Sequence, residues 1–176
     1  MNNEQIQAFQ PMRKITVDKI VINIGVGKSG EPLEKAKRAL QELTGKKPSV
    51  RGAKKTVRDF NIHQGEPIGA IITLRRESAI KFLRGVIAAN RNALKASSFD
   101  QYGNISIGIH EHIDIPGTKY NPDIGIFGMD ISIALRRPGY SIAKKRQGGG
   151  RIGKAHRITK QEAMEFFRQE YGVEII

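Results

Sequence analysis

Cysteine and tryptophan are both missing from these 176 residues. Without cysteine there are no disulfides, no thiolate zinc sites and no thiol nucleophile. Without tryptophan, and with only 6% aromatic residues, the core must be built from Ile, Leu, Val and Ala. No apolar run approaches the roughly 20 residues that span a bilayer. The opening Met-Asn-Asn-Glu-Gln-Ile-Gln lacks the basic-then-apolar order of a secretory signal. The expectation is a protein of the reducing cytoplasm with no membrane partner. Acid is scarce as well: 17 Asp and Glu stand against 30 Lys and Arg, a formal charge of +13. Such a charge repels itself, and the usual reason it persists is a polyanionic partner. Nucleic acid comes first. An anionic membrane surface and a merely soluble basic protein are the alternatives.

Hydrophobic residues make up 39% of the chain, enough for one modest core, so residues 1–176 are expected to form a single domain. Residues 1–13 are polar and read as an arm. From Lys14 to Ile24 the pattern is a strand, with Ile20, Ile22 and Ile24 on one face and Lys19, Val21 and Asn23 on the other. A glycine turn follows, then a helix with Pro32 in its first turn, an apolar stripe of Leu33, Ala36, Leu40 and Leu43, and Gly45 as its stop. Lys46, Lys47, Arg51, Lys54, Lys55 and Arg58 all pass before the next acid, Asp59; this is a short strand at best, then a basic loop. A strand with Ile68, Ala70, Ile72 and Leu74 on one face leads to a helix over 77–92 centred on Ile80, Leu83 and Ile87. Two further strands are expected at 104–114 and 129–136, joined by a loop rich in Pro and Gly. From Arg136 to Lys160 there are nine Lys or Arg and no acid, a composition expected to bury no core. Within it lies a basic extension over 144–160. Thr159-x-x-Glu162 then caps a short helix. The pattern predicts an α+β fold: one largely antiparallel sheet, helices packed on one face, basic loops and a basic tail extending from it.

Chemistry-bearing motifs are few. Gly25-x-Gly27-x-x-Gly30 lies between a strand and a helix, where a dinucleotide-binding turn would sit. Three features oppose it: the next segment is not an apolar buried strand, no acid ends it to hold a ribose, and one cofactor does not need +13. Gly27-Lys28-Ser29 is no phosphate-cradling loop either, since its leading glycine would fall at Ile22. Backbone N–H groups of the same turn could instead meet an RNA phosphate. His110-x-His112, read as a strand, puts two imidazoles on one face. His63 and His156 stand at no ligating distance in sequence, so hydrogen-bonded or surface histidines are the simpler account. No nucleophile has a base beside it. Neither catalysis, nor a cofactor, nor a metal is expected; a nicotinamide-nucleotide enzyme is the rival from another class.

The strand faces opposite the isoleucines carry Asn23, Thr73, Arg75, Ser106, Gly108, His110, Ser132 and Arg136. These small, polar or basic residues would leave a platform that ribose and phosphate approach closely. An ordinary solvated sheet face is the alternative.

Four stretches together resemble the universal large-subunit ribosomal protein five family. They are Val21-Ile22-Asn23-Ile24-Gly25-Val26-Gly27; Thr44-Gly45-Lys46-Lys47-Pro48; Ala53-Lys54-Lys55-Thr56-Val57-Arg58-Asp59-Phe60 through Gly65-Glu66-Pro67-Ile68-Gly69; and His112-Ile113-Asp114-Ile115-Pro116-Gly117 through Asp123-Ile124-Gly125-Ile126-Phe127-Gly128-Met129-Asp130. The likeness runs from about Met12 to Phe167, and the tail Lys154-Ala155-His156-Arg157-Ile158-Thr159 is similar to the archaeal and eukaryotic branch. The resemblance implies a structural constituent of the large subunit that holds 5S rRNA in the central protuberance. The partners it implies are 5S rRNA, large-subunit rRNA, P-site tRNA, a small-subunit protein at an intersubunit bridge, and other 5S-associated ribosomal proteins. Carried onto this chain, it implies rRNA contacts at Asn23, Gly25, Lys47, Thr73 and Arg75. It implies tRNA contacts in the loop from Ala53 to Glu66, at Lys54, Lys55, Arg58 and His63, and a bridge contact within 109–120. A general basic adaptor without 5S selectivity remains the third reading.

Overall fold

Isoleucine at alternate positions makes the first strand, β1 (Thr16–Gly25), because β-branched side chains suit a pleated, half-buried backbone. Ile20, Ile22 and Ile24 are buried, while Lys19, Val21 and Asn23 stay partly exposed on the other face. The structure is a computed structural model that describes residues 11–118 and 120–176. Most of the expected polar arm therefore lies outside the described residues. Its end, Pro11–Arg13, forms one 3-10 turn.

Gly27 and Gly30 turn the chain with φ of +74° and +93°, values that only glycine adopts freely. They lead into helix α1 (Glu31–Thr44), which buries Leu33, Ala36, Ala39 and Leu40 and ends at Gly45 in the left-handed conformation. Strand β2 (Ser49–Gly52), strand β3 (Pro67–Leu74) and helix α2 (Glu77–Ala89) follow. The stripe expected on α2 is corrected at one position. Ala79, Phe82, Leu83, Val86 and Ile87 are buried, whereas Ile80 is 41% exposed. The buried set keeps i, i+3, i+4, i+7 spacing, and Ile80 falls one residue, about 100° of helix rotation, off it. The remaining elements are β4 (Ala93–Leu94), β5 (Ile105–Ile109), β6 (Met129–Arg136), α3 (Lys160–Tyr171) and β7 (Glu174–Ile175).

Five strands form one sheet in the order β2-β3-β1-β6-β5, with every neighbouring pair antiparallel. The isoleucine faces of β1, β5 and β6 join apolar residues of all three helices in one core. The expected α+β sheet with helices on one face is borne out. β4 and β7 form a separate two-stranded parallel pair. No helix among the described residues is long and apolar enough to cross a membrane.

Two expectations about the later half are corrected. The strand expected to reach Asp114 stops at Ile109, because His112–Asp114 is a 3-10 turn. His110 and His112 therefore do not share a strand face. His110 is exposed. His112 is 4% exposed; its Nδ1 accepts from the Phe127 N–H at 3.3 Å, and its own N–H donates to the Phe127 carbonyl at 3.0 Å. It braces the loop between β5 and β6. Among the described residues no group of acids and histidines could hold a metal ion.

The basic tail also contributes to the core, contrary to its composition. Ile158 is fully buried in the core cluster, and the Tyr140 hydroxyl accepts from the Ile158 N–H at 2.9 Å while donating to the His156 carbonyl at 3.2 Å. Arg137, in the turn that leaves β6, is 4% exposed. Its guanidinium donates to Glu162 at 2.7 Å and to the Arg13 carbonyl at 3.1 Å. Glu162 also closes the capping box with Thr159. Burial raises the Glu162 carboxyl, but the Thr159 N–H and the Arg137 guanidinium outweigh it and hold the group below its ordinary value.

Candidate nucleic-acid interface

Antiparallel register decides which residues stand together on the face away from the helices. One row across the sheet reads Ser49, Ile71, Asn23, Asp130, Gly108. The next reads Thr73, Val21, Ser132, Ser106. A third, at one end, reads Arg51, Gly69, Gly25. Asn23 and Thr73 are thus diagonal neighbours on adjacent strands, about 7–8 Å apart. Small residues dominate, with Val21 and Ile71 as a partly buried apolar strip at the centre. Nothing lies within 4 Å of a Cβ placed on Gly25, so the backbone there is open to a ligand. No aromatic stands in these rows, and the face cannot stack bases.

The expected residues do not form one cluster. Gly25 lies at one end of β1. Arg75, just past the end of β3, belongs to the other. From Asp18 to Gly25 is seven residues of strand, roughly 23 Å at about 3.3 Å per residue. Asn23 and Thr73 lie between, and Lys47 is exposed in the turn that enters β2 at the sheet edge.

Lys54, Lys55, Arg58 and His63 come together on a separate projection beyond the Gly25 end. The loop between β2 and β3 is a built hairpin. Ala53 and Glu66 bond across its base, Val57 and Ile62 exchange N–H to carbonyl bonds at 2.9 and 3.1 Å, and Asn61 turns the tip with φ of +54°. Glu66 anchors it, accepting from the Ser29 hydroxyl at 2.7 Å and the His63 N–H at 3.0 Å. Those two bonds, the hydroxyl first, hold its carboxyl below the ordinary value. All four basic side chains are exposed, and none makes an ion pair among the described residues. Phe60 stands at the tip, 71% exposed. Sequence reasoning passed over it, although a lone aromatic in a basic loop with no apolar residue at helix or strand spacing was the available signal.

Asp18 was also missed. It shares parity with Ile20, Ile22 and Ile24 and so counts as a core position. A β-bulge between Val17 and Lys19 changes the register: Val17 pairs with Leu135 instead, and Asp18 reaches the opposite face. There its side chain is 7% exposed, with Lys144 at 2.7 Å, Arg136 at 3.4 Å and Arg75 at 3.7 Å. Burial pushes this carboxyl up, but the Lys144 hydrogen bond and charge, helped by Arg136 and Arg75, hold it below 3.8.

The glycine turn does less than its motif suggests. The N–H groups of Val26 and Gly27 both donate to the Ile68 carbonyl at 3.0 Å, so they are occupied. Glu31 and Glu34 crowd the first turn of α1. The strand after α1 pairs antiparallel with β3, and β1 lies between two antiparallel neighbours. This is not the parallel unit a dinucleotide site requires.

Comparison with known proteins gives the family. Residues 10–63 match the family model described as ribosomal protein L5, and residues 67–166 match the model of the C-terminus of that ribosomal family. The large ribosomal subunit protein uL5 of Sulfurisphaera tokodaii is 51% identical over 173 residues, covering 98% of both chains. That of Cenarchaeum symbiosum is 53% identical over 94% of this chain and 98% of its own. That of Sulfolobus acidocaldarius is 47% identical over 100% and 99%.

Proposed function

Because this chain belongs to the ribosomal protein L5 family, of archaeal type, and is thus a structural component of the large ribosomal subunit and not an enzyme, we propose that it binds 5S rRNA on the open face of its sheet. The observation that carries this reading is the face itself. Small residues at Asn23, Gly25, Thr73, Ser106 and Ser132 leave the strands accessible, and exposed cations flank them at both ends. Such a surface suits the phosphates and 2′-hydroxyls of a folded RNA, read by shape. Lys47 and Arg75 supply charge at its margins. In this reading the protein helps attach 5S rRNA to large-subunit rRNA in the central protuberance, beside other 5S-associated ribosomal proteins.

The hairpin loop serves a different partner. Lys54, Lys55, Arg58 and His63 project beyond the sheet, a form suited to reaching P-site tRNA. The segment 109–120, with His110 and Tyr120 exposed, is the surface for a small-subunit protein at the intersubunit bridge.

Competition between 5S rRNA and a duplex RNA of equal length tests the central claim. Selective retention of 5S rRNA supports it, and equal displacement by duplex reduces the protein to a general basic adaptor. Bulky replacements at Asn23 and Thr73 belong in the same assay. They should weaken 5S binding at least about tenfold, the equivalent of losing a contact or two of about 1 kcal/mol each, with the circular dichroism unchanged. Folded variants that bind normally would move the 5S site off the sheet.

A further inference from the structure

The end of the sheet around Asp18 opens onto a pocket of which the 5S reading uses only the rim, Arg136 and Lys144. It is an open cleft of about 570 Å³ between the ends of β1 and β6, the turn before β5 and the basic tail, within the range of roughly 300–1,000 Å³ typical of ligand sites. Five cations line it (Lys19, Arg136, Lys144, Arg151 and Arg157) against one carboxylate, Asp18. Asp18 binds Lys144 and Arg136, which fixes where those two point but leaves most of the positive charge uncompensated. Tyr102 also lines the pocket and is 55% exposed.

The walls are built into the fold. Ile158 sits beneath the tail with its Cγ2 2.6 Å from where a Cβ on Gly103 would stand, and Gly103 has φ of +77°; only glycine fits there. The turn carrying Tyr102 is thereby locked against the segment carrying Arg157. The Arg157 Nε donates to the Ile152 carbonyl at 3.4 Å, and the Tyr140 hydroxyl bonds residues 156 and 158.

We propose that this pocket is a second RNA site, taking phosphodiester backbone on its arginines and lysines and one unpaired nucleotide against the Tyr102 ring. The proposal rests on the reading that the chain binds RNA and names a contact which that reading does not contain. One free nucleotide does not call for five cations. The charge also runs on through Arg75 along the open face, as a polyanion would use it.

The chain has no tryptophan, so Tyr102→Trp places a single tryptophan, excited apart from the remaining tyrosines, in the pocket wall. The full-length variant is titrated with 5S rRNA, with a short single-stranded RNA and with adenosine 5′-monophosphate, each alongside a filter-binding measurement. Both RNAs should quench the fluorescence, and the mononucleotide should do so only at far higher concentration. Adding Arg151→Ala and Arg157→Ala should abolish the quench and weaken RNA binding about tenfold, the scale of one stacked base. Arg151→Ala alone, in an exposed part of the tail, is the control should the double change disturb folding; it should reduce the quench in part. Full 5S binding with unquenched fluorescence, or a quench indifferent to the arginines, overturns the proposal. So does a mononucleotide that binds as tightly as RNA, which would make the site one for free nucleotides. A chain that ignores 5S rRNA yet shows arginine-dependent quenching by single-stranded RNA keeps the pocket and sinks the 5S reading. A chain that binds no RNA sinks both.

Discussion

Replacing Asp18 by asparagine removes the charge that gathers Lys144, Arg136 and Arg75 while keeping the shape of the side chain. Three cations then face one another in a nearly dry corner of the sheet. The loss at neutral pH should be about 2 kcal/mol, the usual size for hydrogen bonds to a charged group, discounted because the cations themselves are more than half exposed. The folded carboxyl lies below its ordinary 3.8. A depressed value means that the charged form is favoured by folding, so the contribution is fully present above 3.8 and fades as pH falls through the folded value. Urea unfolding of the two proteins should therefore differ at pH 7 and converge as the pH is lowered through and below the folded carboxyl's value. A gap that persists unchanged into acid would assign the effect to packing and not to charge.

At the scale of elements, the hairpin between β2 and β3 and the sheet face are distinct bodies joined at Gly52 and Pro67. Lys54→Ala with Lys55→Ala should leave 5S rRNA affinity within about twofold, since neither residue stands on the face, yet weaken tRNA contact on assembled ribosomes. Each lost phosphate contact should also lower the salt dependence of that contact by about one unit of slope. Toe-printing or cross-linking to P-site tRNA measures the second effect and filter binding the first. Equal losses in both would merge loop and sheet into one site. The same division separates what the sequence makes legible from what it does not. β1, α1, β3 and β6 each sustain one period over enough residues to show it, and Thr159-x-x-Glu162 announces α3 by a local bond. β4 and β7 are two residues each and exist only because the chain end returns to residues 93–94. His112 leaves the strand because Phe127, 15 residues away, offers it a partner. Asp18, which the bulge turns outward, is held by cations from just past β3, from β6 and from the tail. Periodicity reports contacts within an element and is silent about these long-range ones. For that reason the exposed loop cations and the open-face position of Asn23 are legible from sequence, whereas the Asp18 cluster is not; Phe60 had a signal in the sequence that periodicity does not weigh.

For the whole molecule, what matters is that positive charge sits at two ends of one platform, not in a single patch. Arg51, level with Gly69 and Gly25, stands at one end, Lys47 lies along the β2 edge, and Arg75, Arg136 and Lys144 gather at the far end around Asp18. A ligand seated across both ends contacts them independently, since changes more than about 7–10 Å apart with no shared partner add within about 0.5 kcal/mol. Arg51→Ala and Arg75→Ala should accordingly weaken 5S rRNA binding additively. Arg75→Ala and Arg136→Ala should not, because both side chains lean on the same carboxylate and removing one lets the other shift. Salt provides the independent check. If about six phosphates are engaged across the platform, affinity should fall roughly a thousandfold between 50 and 200 mM salt. The Arg51 and Arg75 changes together should flatten that slope by about two units, one from each end. Flattening by one unit only, whichever residue is changed, would mean that the RNA rests on a single end and that the sheet between them is merely solvated.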